Sequence, residues 1–487
     1  MKRILIVACL AVFGLSGSVL AEPATKAGAA ELKATLRTYL GGSDWAVQVV
    51  PVDKNYTVIL DPTALAEGLQ LEEFQAGGST LTLTVADNGD GTWDYALDQP
   101  VFLSFEMPDR GPVCMFNIGK VSLSGVFDEV LGLPRQSRLE ATEASTQCSN
   151  SNPDPRLENL RFDRTAKSWI VESSAIAGTE GVDISILSST ESNFFSITLP
   201  IMEQEPWRAK GATARSTAEI AVTGLRSGNL LDLLALVIGH AGLDSTLEDN
   251  AGLTTHIEAA LPIFSDLAAT STYQGTSVNT PQGVVSAKEI TVNVGATGLV
   301  ADAHVQQGLS ITGLTLPEGL LHGSLADLVP QDFSLGIAAS DFDFAAMTHV
   351  LLSVLDQPFG SPPPQGFEDA VKTSLLPKGT FTLTLAPGFA ATPDYRLTYE
   401  GSMVINPDLP APVFTAKLGL SGYAAVRSSL QSAPAEYNLG TAAAILGAFS
   451  GLADQGPDGA LQWEISLDEA GTVLVNGVDP DKLFKSP

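Results

Sequence analysis

The most motif-like stretch of the chain is TLTLTVADNGDGTWDYALD (residues 80–98), where Asn88, Asp90 and Gly91 stand as the oxygen ligands and sharp turn of a calcium loop would. The register fails. With Asp90 and Gly91 at the fifth and sixth loop positions, Ala86 falls at the first and Leu97 at the twelfth, so both essential carboxylates are missing. Asn-Gly and Asp-Gly instead supply the positive φ angles of a hairpin turn, and the residues on either side alternate apolar and polar. The stretch predicts two strands and a corner, with no metal.

Other chemistry is sparse. The histidines are His240, His256, His304, His322 and His349, and no two have the i, i+4 spacing of helical zinc ligands. No G-x-S-x-G nucleophile elbow occurs, and no lysine has a serine three residues before it. GDGTWD starts like a dinucleotide fingerprint, but Asp94 replaces the third glycine. DFDF (residues 341–344) places Asp341 or Asp343 to cap a following helix, with a cation site as the rival reading. PRLENLRFDRTAKSW is locally basic: Arg156, Arg161, Arg164 and Lys167 could meet an anion or a lipid headgroup, but Glu158 and Asp163 between them favour local ion pairing. These readings predict no catalytic residues, no cofactor-binding residues and no metal site. A carboxylate pair of the glycosidase kind stays open as a lesser alternative in so acidic a chain, although aromatic residues are only 7% of it.

The ends and the charge bound the setting. Lys2 and Arg3 precede an apolar run too short to anchor in a bilayer, and Val19 and Ala21 are small residues at the −3 and −1 positions of a cleavage site. This predicts a signal peptide over residues 1–21, cleavage between Ala21 and Glu22, and a periplasmic protein with no transmembrane segment in its mature chain. Cys9 in IVAC leaves too short an apolar stretch for lipidation. The net charge of −29 repels nucleic acid and anionic lipid surfaces at long range. Cys114 and Cys148 remain after cleavage, and an even pair in an oxidising compartment predicts a disulfide, two buried thiols being the alternative.

The elements that would carry these residues are mostly strands. TLTLTV, TWDYAL, VFLSFEM, FSITLPI, EITVNVGA, TFTLTLA, YRLTYEGSMVI and ALQWEISL alternate, and are rich in residues that suit half-buried pleated surfaces. KAGAAELKATLRTYL puts Leu32, Leu36, Tyr39 and Leu40 on one helical face. Apolar helices are expected over residues 228–242, 344–355 and 441–452. Three segments, AEIAVTGLRSGNLLDLLALVI, FSLGIAASDFDFAAMTHVLLSVL and TAKLGLSGYAAVRSSL, share an order of strand, short link and helix. The expected fold is a β-dominated α+β protein of antiparallel meanders, its curved sheets packed against a few apolar helices. The expected division is an N-terminal β-rich lobe over 22–211 and a C-terminal lobe over 212–487 with imperfect strand–helix repeats.

LADLVPQDFSLGIAASDFDF and LQWEISLDEAGTVLVNGV, set in this texture, resemble the exported alphaproteobacterial domain-of-unknown-function family 2125 and the related family 945. That resemblance implies an exported Gram-negative protein and no established reaction. The expectation is a non-enzymatic envelope protein, either holding an apolar, lipid-like ligand or contacting another envelope protein as a structural module.

Overall fold

The computed structural model describes residues 24–40, 46–68, 75–106, 112–150, 160–199, 206–240, 250–321, 323–355, 362–409, 411–434, 437, 439–456, 459–467 and 471–480. The predicted signal peptide and its cleavage site at Ala21 and Glu22 lie outside them. The chain forms two compact units, one of residues up to Leu267 together with 351–364, the other of 268–350 and the residues from Gln365 onward.

In chain order the first unit holds α1 (Lys26–Leu40), β1 (Val47–Val52), β2 (Asn55–Leu60), α2 (Pro62–Gly68), β3 (Gln75–Gly78), β4 (Leu81–Asp87), β5 (Thr92–Glu106), β6 (Pro112–Asp128), β7 (Leu133–Asn150), β8 (Arg161–Ala177), β9 (Val182–Leu199), β10 (Trp207–Leu225), α3 (Ser227–His240) and α4 (Asn250–Ala260). Strands β1, β2, β4, β5, β6, β7, β8, β9 and β10 pair successively, always antiparallel, and β3 lies on the far half of β5. Residue 211, the sequence-based lobe boundary, lies inside β10.

The expected corner at residues 88–91 is a hairpin joining β4 to β5, with Asn88 N–H donating to Thr92 O at 3.0 Å and positive φ at Gly89 and Gly91. Its carboxylates are engaged locally. Asp87 accepts Gly89 N–H at 2.7 Å, and Asp90 accepts the Thr92 hydroxyl at 2.6 Å, which holds the Asp90 carboxyl below its usual range.

Helix α1 buries Ala29, Leu32, Leu36 and Leu40 against β1, β2 and β4–β6, where Val47, Val58, Val85, Leu97 and Phe127 complete the core. Each such buried aliphatic side chain stabilises the fold by roughly 1.5–3 kcal/mol.

The second unit continues with β11 (Asp266–Thr280), β12 (Gly283–Thr297), β13 (Ala303–Thr312), α5 (Gly323–Ala326), β14 (Asp332–Phe342), α6 (Phe344–Leu355), α7 (Phe367–Leu375), β15 (Phe381–Ala391), β16 (Arg396–Ile405), β17 (Val413–Ser421), α8 (Tyr423–Ser432), α9 (Gly440–Ser450), β18 (Asp454–Gln455), β19 (Leu461–Leu467) and β20 (Val473–Val475). The unit boundaries fall within β11 and α6. Strands β12 to β17 pair in sequence order, β19 follows β17, and β20 follows β19, again antiparallel throughout. The protein is therefore β-dominated and antiparallel.

Four strands pass into a helix through a single residue: β2 through Asp61 to α2, β10 through Arg226 to α3, β14 through Asp343 to α6, and β17 through Gly422 to α8. After one of them the next strand returns beside the first, β15 beside β14; after two others a later strand does so, β4 beside β2 once β3 has passed and β19 beside β17 once β18 has passed. Two links are aspartate caps. Asp61 Oδ1 accepts Thr63 N–H at 3.0 Å, and Asp343 Oδ1 accepts Ala346 N–H at 2.7 Å. Gly422 has φ 74°, and a side chain there would run into the backbone of Asp394 and Tyr395.

Candidate functional site

The register of the second unit aligns its apolar residues into rows. One row runs Ile311, Phe333, Ala390, Leu397, Leu420, Leu461 across β13, β14, β15, β16, β17 and β19. Another runs Val305, Ala339, Leu383, Met403, Phe414, Leu467 across the same strands. Between them Val294, Ile337, Leu385, Ala416 and Ile465 share a row, in which Gln307 is the polar exception. Alternate residues of a strand share a face, so all three rows lie on one side of the sheet. An irregularity between Leu385 and Gly388 keeps β15 in phase with its neighbours. The residues between, such as Ser334, Ser340, Thr382, Thr384, Ser402 and Thr415, are small or polar and form the other side.

Among the described residues, one end of this apolar face is closed. There Leu420, Leu461, Trp463 and Val475 are buried with Tyr423 and Val426 of α8 and Leu446 and Phe449 of α9. Trp463 Nε1 donates to Phe449 O at 2.8 Å, satisfying the polar atom of the indole. Toward β12–β14 the face is open: Ile337 is 51% exposed, and Val294, Val305 and Leu335 are exposed beside it.

A concavity of about 500 Å³ lies on the first unit, with polar and apolar walls formed by Ser124, Val126, Arg138, Glu172, Ser185 and Leu187. Arg138 bridges Glu140 and Glu172, which hold its guanidinium still more firmly protonated than usual, through the Glu140 hydrogen bond first. No histidine or lysine lines it to act as a base for the serines, and its central charge is already neutralised.

The residues singled out by sequence are scattered. Cys114 and Cys148 face each other across β6 and β7 and form a disulfide, with their Cα atoms 4.1 Å apart. Of the DFDF aspartates, Asp343 caps α6, whereas Asp341, with φ 71°, binds Lys378 at 2.7 Å and the Thr382 hydroxyl at 2.6 Å. Those two donors, Lys378 foremost, hold the Asp341 carboxyl below its usual range.

In the basic segment Arg161 pairs with Asp163 at 2.8 Å, and Arg164 Nε donates to Asn193 Oδ1 at 2.9 Å; Arg156 and Glu158 lie outside the described residues. His256 lies on α4, His304 on β13 and His349 on α6; His240 ends α3, and His322 is outside the described residues. Among the described residues no three metal-binding side chains gather. No helix among them is long and apolar enough to cross a membrane.

What sequence reading missed is the coherence of the face. TFTLTLA and ALQWEISL were each legible as strands, but only the register shows that their apolar sides form one surface. Comparison of the chain with protein-family models, curated proteins and solved structures gives no match.

Proposed function

We propose that this chain is an exported periplasmic protein, cleaved after Ala21, that works without catalysis by holding an apolar, lipid-like ligand against the open apolar face of its second unit. Curved sheets packed against apolar helices, in an α+β arrangement, are part of this proposal. The observation that supports it is the alignment of apolar rows across β12 to β19, with Ile337 and Leu335 left in water. Covering about 200 Å² of such surface would contribute roughly 5 kcal/mol before the cost of immobilising the ligand. The scattered arrangement of histidines, serines and carboxylates favours binding over turnover.

A fluorescent fatty-acid probe tests the reading on delipidated protein. Saturable binding is expected, weakened on the order of tenfold or more by Ile337→Glu, because a carboxylate on the face must be desolvated by the chain. Ile337 is half in water, so the variant should fold as the parent does. Absence of saturable binding by the parent protein, with the face instead covered by another envelope protein, would replace the ligand reading with that of an interaction module.

A further inference from the structure

Positive charge in this acidic chain gathers on one face of the first unit. The registers place Arg161 and Arg208 on either side of Thr198, and Asp163 and Lys210 on either side of Ser196. Phe194 sits between Thr165 and Ala212 in the next row. Alternation along β8, β9 and β10 puts all of these on the same face. Arg161 is paired with Asp163, which also accepts the Ser196 hydroxyl. Arg208 and Lys210 are exposed and have no carboxylate partner among the described residues. Phe194 is 55% exposed, and on the same strand faces further along the sheet Phe102 and Met115 are exposed as well.

We infer that this face docks on an anionic lipid bilayer. On β8, β9 and β10 Arg161, Arg208 and Lys210 stand against Asp163, with a second carboxylate, the exposed Glu106, in the Arg161 row at β5. Beside an aromatic ring standing in water they match the chemistry of a phosphate-bearing interface, the cations meeting headgroups and the ring entering the boundary with the acyl region. No pocket is needed, which separates this surface from a small-ligand site. The net charge of −29 does not forbid it. At physiological salt the screening length is about 8 Å, so distant carboxylates are screened and the local patch decides the contact. The same reasoning makes the attachment short-ranged and sensitive to salt. The inference is independent of whether the second unit carries an apolar ligand.

Flotation of the full chain with vesicles tests it. Binding is expected to phosphatidylethanolamine vesicles containing phosphatidylglycerol, to be absent with phosphatidylcholine alone, and to fall as salt is added. Arg208→Glu with Lys210→Glu should lower the partition coefficient on the order of tenfold or more. Phe194→Ser should weaken binding while leaving its salt dependence in place. Circular dichroism checks the fold; if charge reversal disturbs it, Arg208→Gln with Lys210→Gln serves the same purpose. Lys417→Glu, on the second unit, should leave binding unchanged. Equal affinity for neutral vesicles, no binding to anionic ones, or a folded double variant that binds as the parent does would overturn the inference.

Discussion

Replacing Cys114 and Cys148 together by alanine should destabilise the first unit and leave its ladder intact. The two residues are directly opposed in the β6–β7 ladder, which pairs on both sides of them, so the native backbone does not depend on the bridge for its register. The effect falls on the unfolded chain. The bridge closes a loop with a sequence separation of 34, and the chain-entropy relation gives about 3.8 kcal/mol at 25 °C for that length. Urea unfolding followed by tryptophan fluorescence reads it, since Trp93, Trp169 and Trp207 all lie in the first unit. The midpoint should fall and the denaturant dependence should steepen, because the uncrosslinked chain exposes more surface when unfolded. Reduction of the parent protein should give the same shift. A loss below about 1 kcal/mol would refute the reasoning, showing that the unfolded ensemble keeps this hairpin closed without the bond.

The two aspartate links should behave alike: Asp61→Ala and Asp343→Ala should each cost about 1 kcal/mol in urea unfolding, by exposing amides at the starts of α2 and α6. Asp341 predicts a pH effect. Its depressed carboxyl pKa means its contribution is fully present above the unfolded value near 3.8 and is lost as pH falls through the lower folded value. Thermal melts from neutral pH into acid should therefore show a smaller acid loss for Asp341→Asn than for the parent, and an unchanged acid limb would contradict the Lys378 and Thr382 contacts.

Legibility in the sequence followed the strength of local pattern. The corner at Asn88–Gly91 could be read because Asn-Gly and Asp-Gly are needed wherever a tight hairpin demands positive φ. Helix α1 could be read because Leu32, Leu36 and Leu40 recur at helical spacing, and these are buried; Tyr39 is only half-buried at the edge of that stripe. β7 and β11 escaped, since LPRQSRLEATEASTQCSN and DLAATSTYQGTSVNT carry polar residues on both faces and owe their form to the neighbouring strands. The short α2 escaped too, for seven residues give too few turns to establish a period. DFDF left two candidate caps because spacing alone does not show which aspartate carries positive φ. The disulfide was legible from its even count, while the basic face was not: Arg208 and Lys210 join Arg161 only through the β8–β9–β10 register, some 47 residues away along the chain.

On the function proposed above, the open apolar face of the second unit holds a lipid-like molecule. Native mass spectrometry of the protein purified from its native host, followed by solvent extraction and analysis of what is released, reads this out. An apolar, acyl-bearing molecule is expected at near-stoichiometric amount, and is expected to be lost from the Ile337→Glu variant. A ligand-free protein, or a lipid retained equally by that variant, would contradict it.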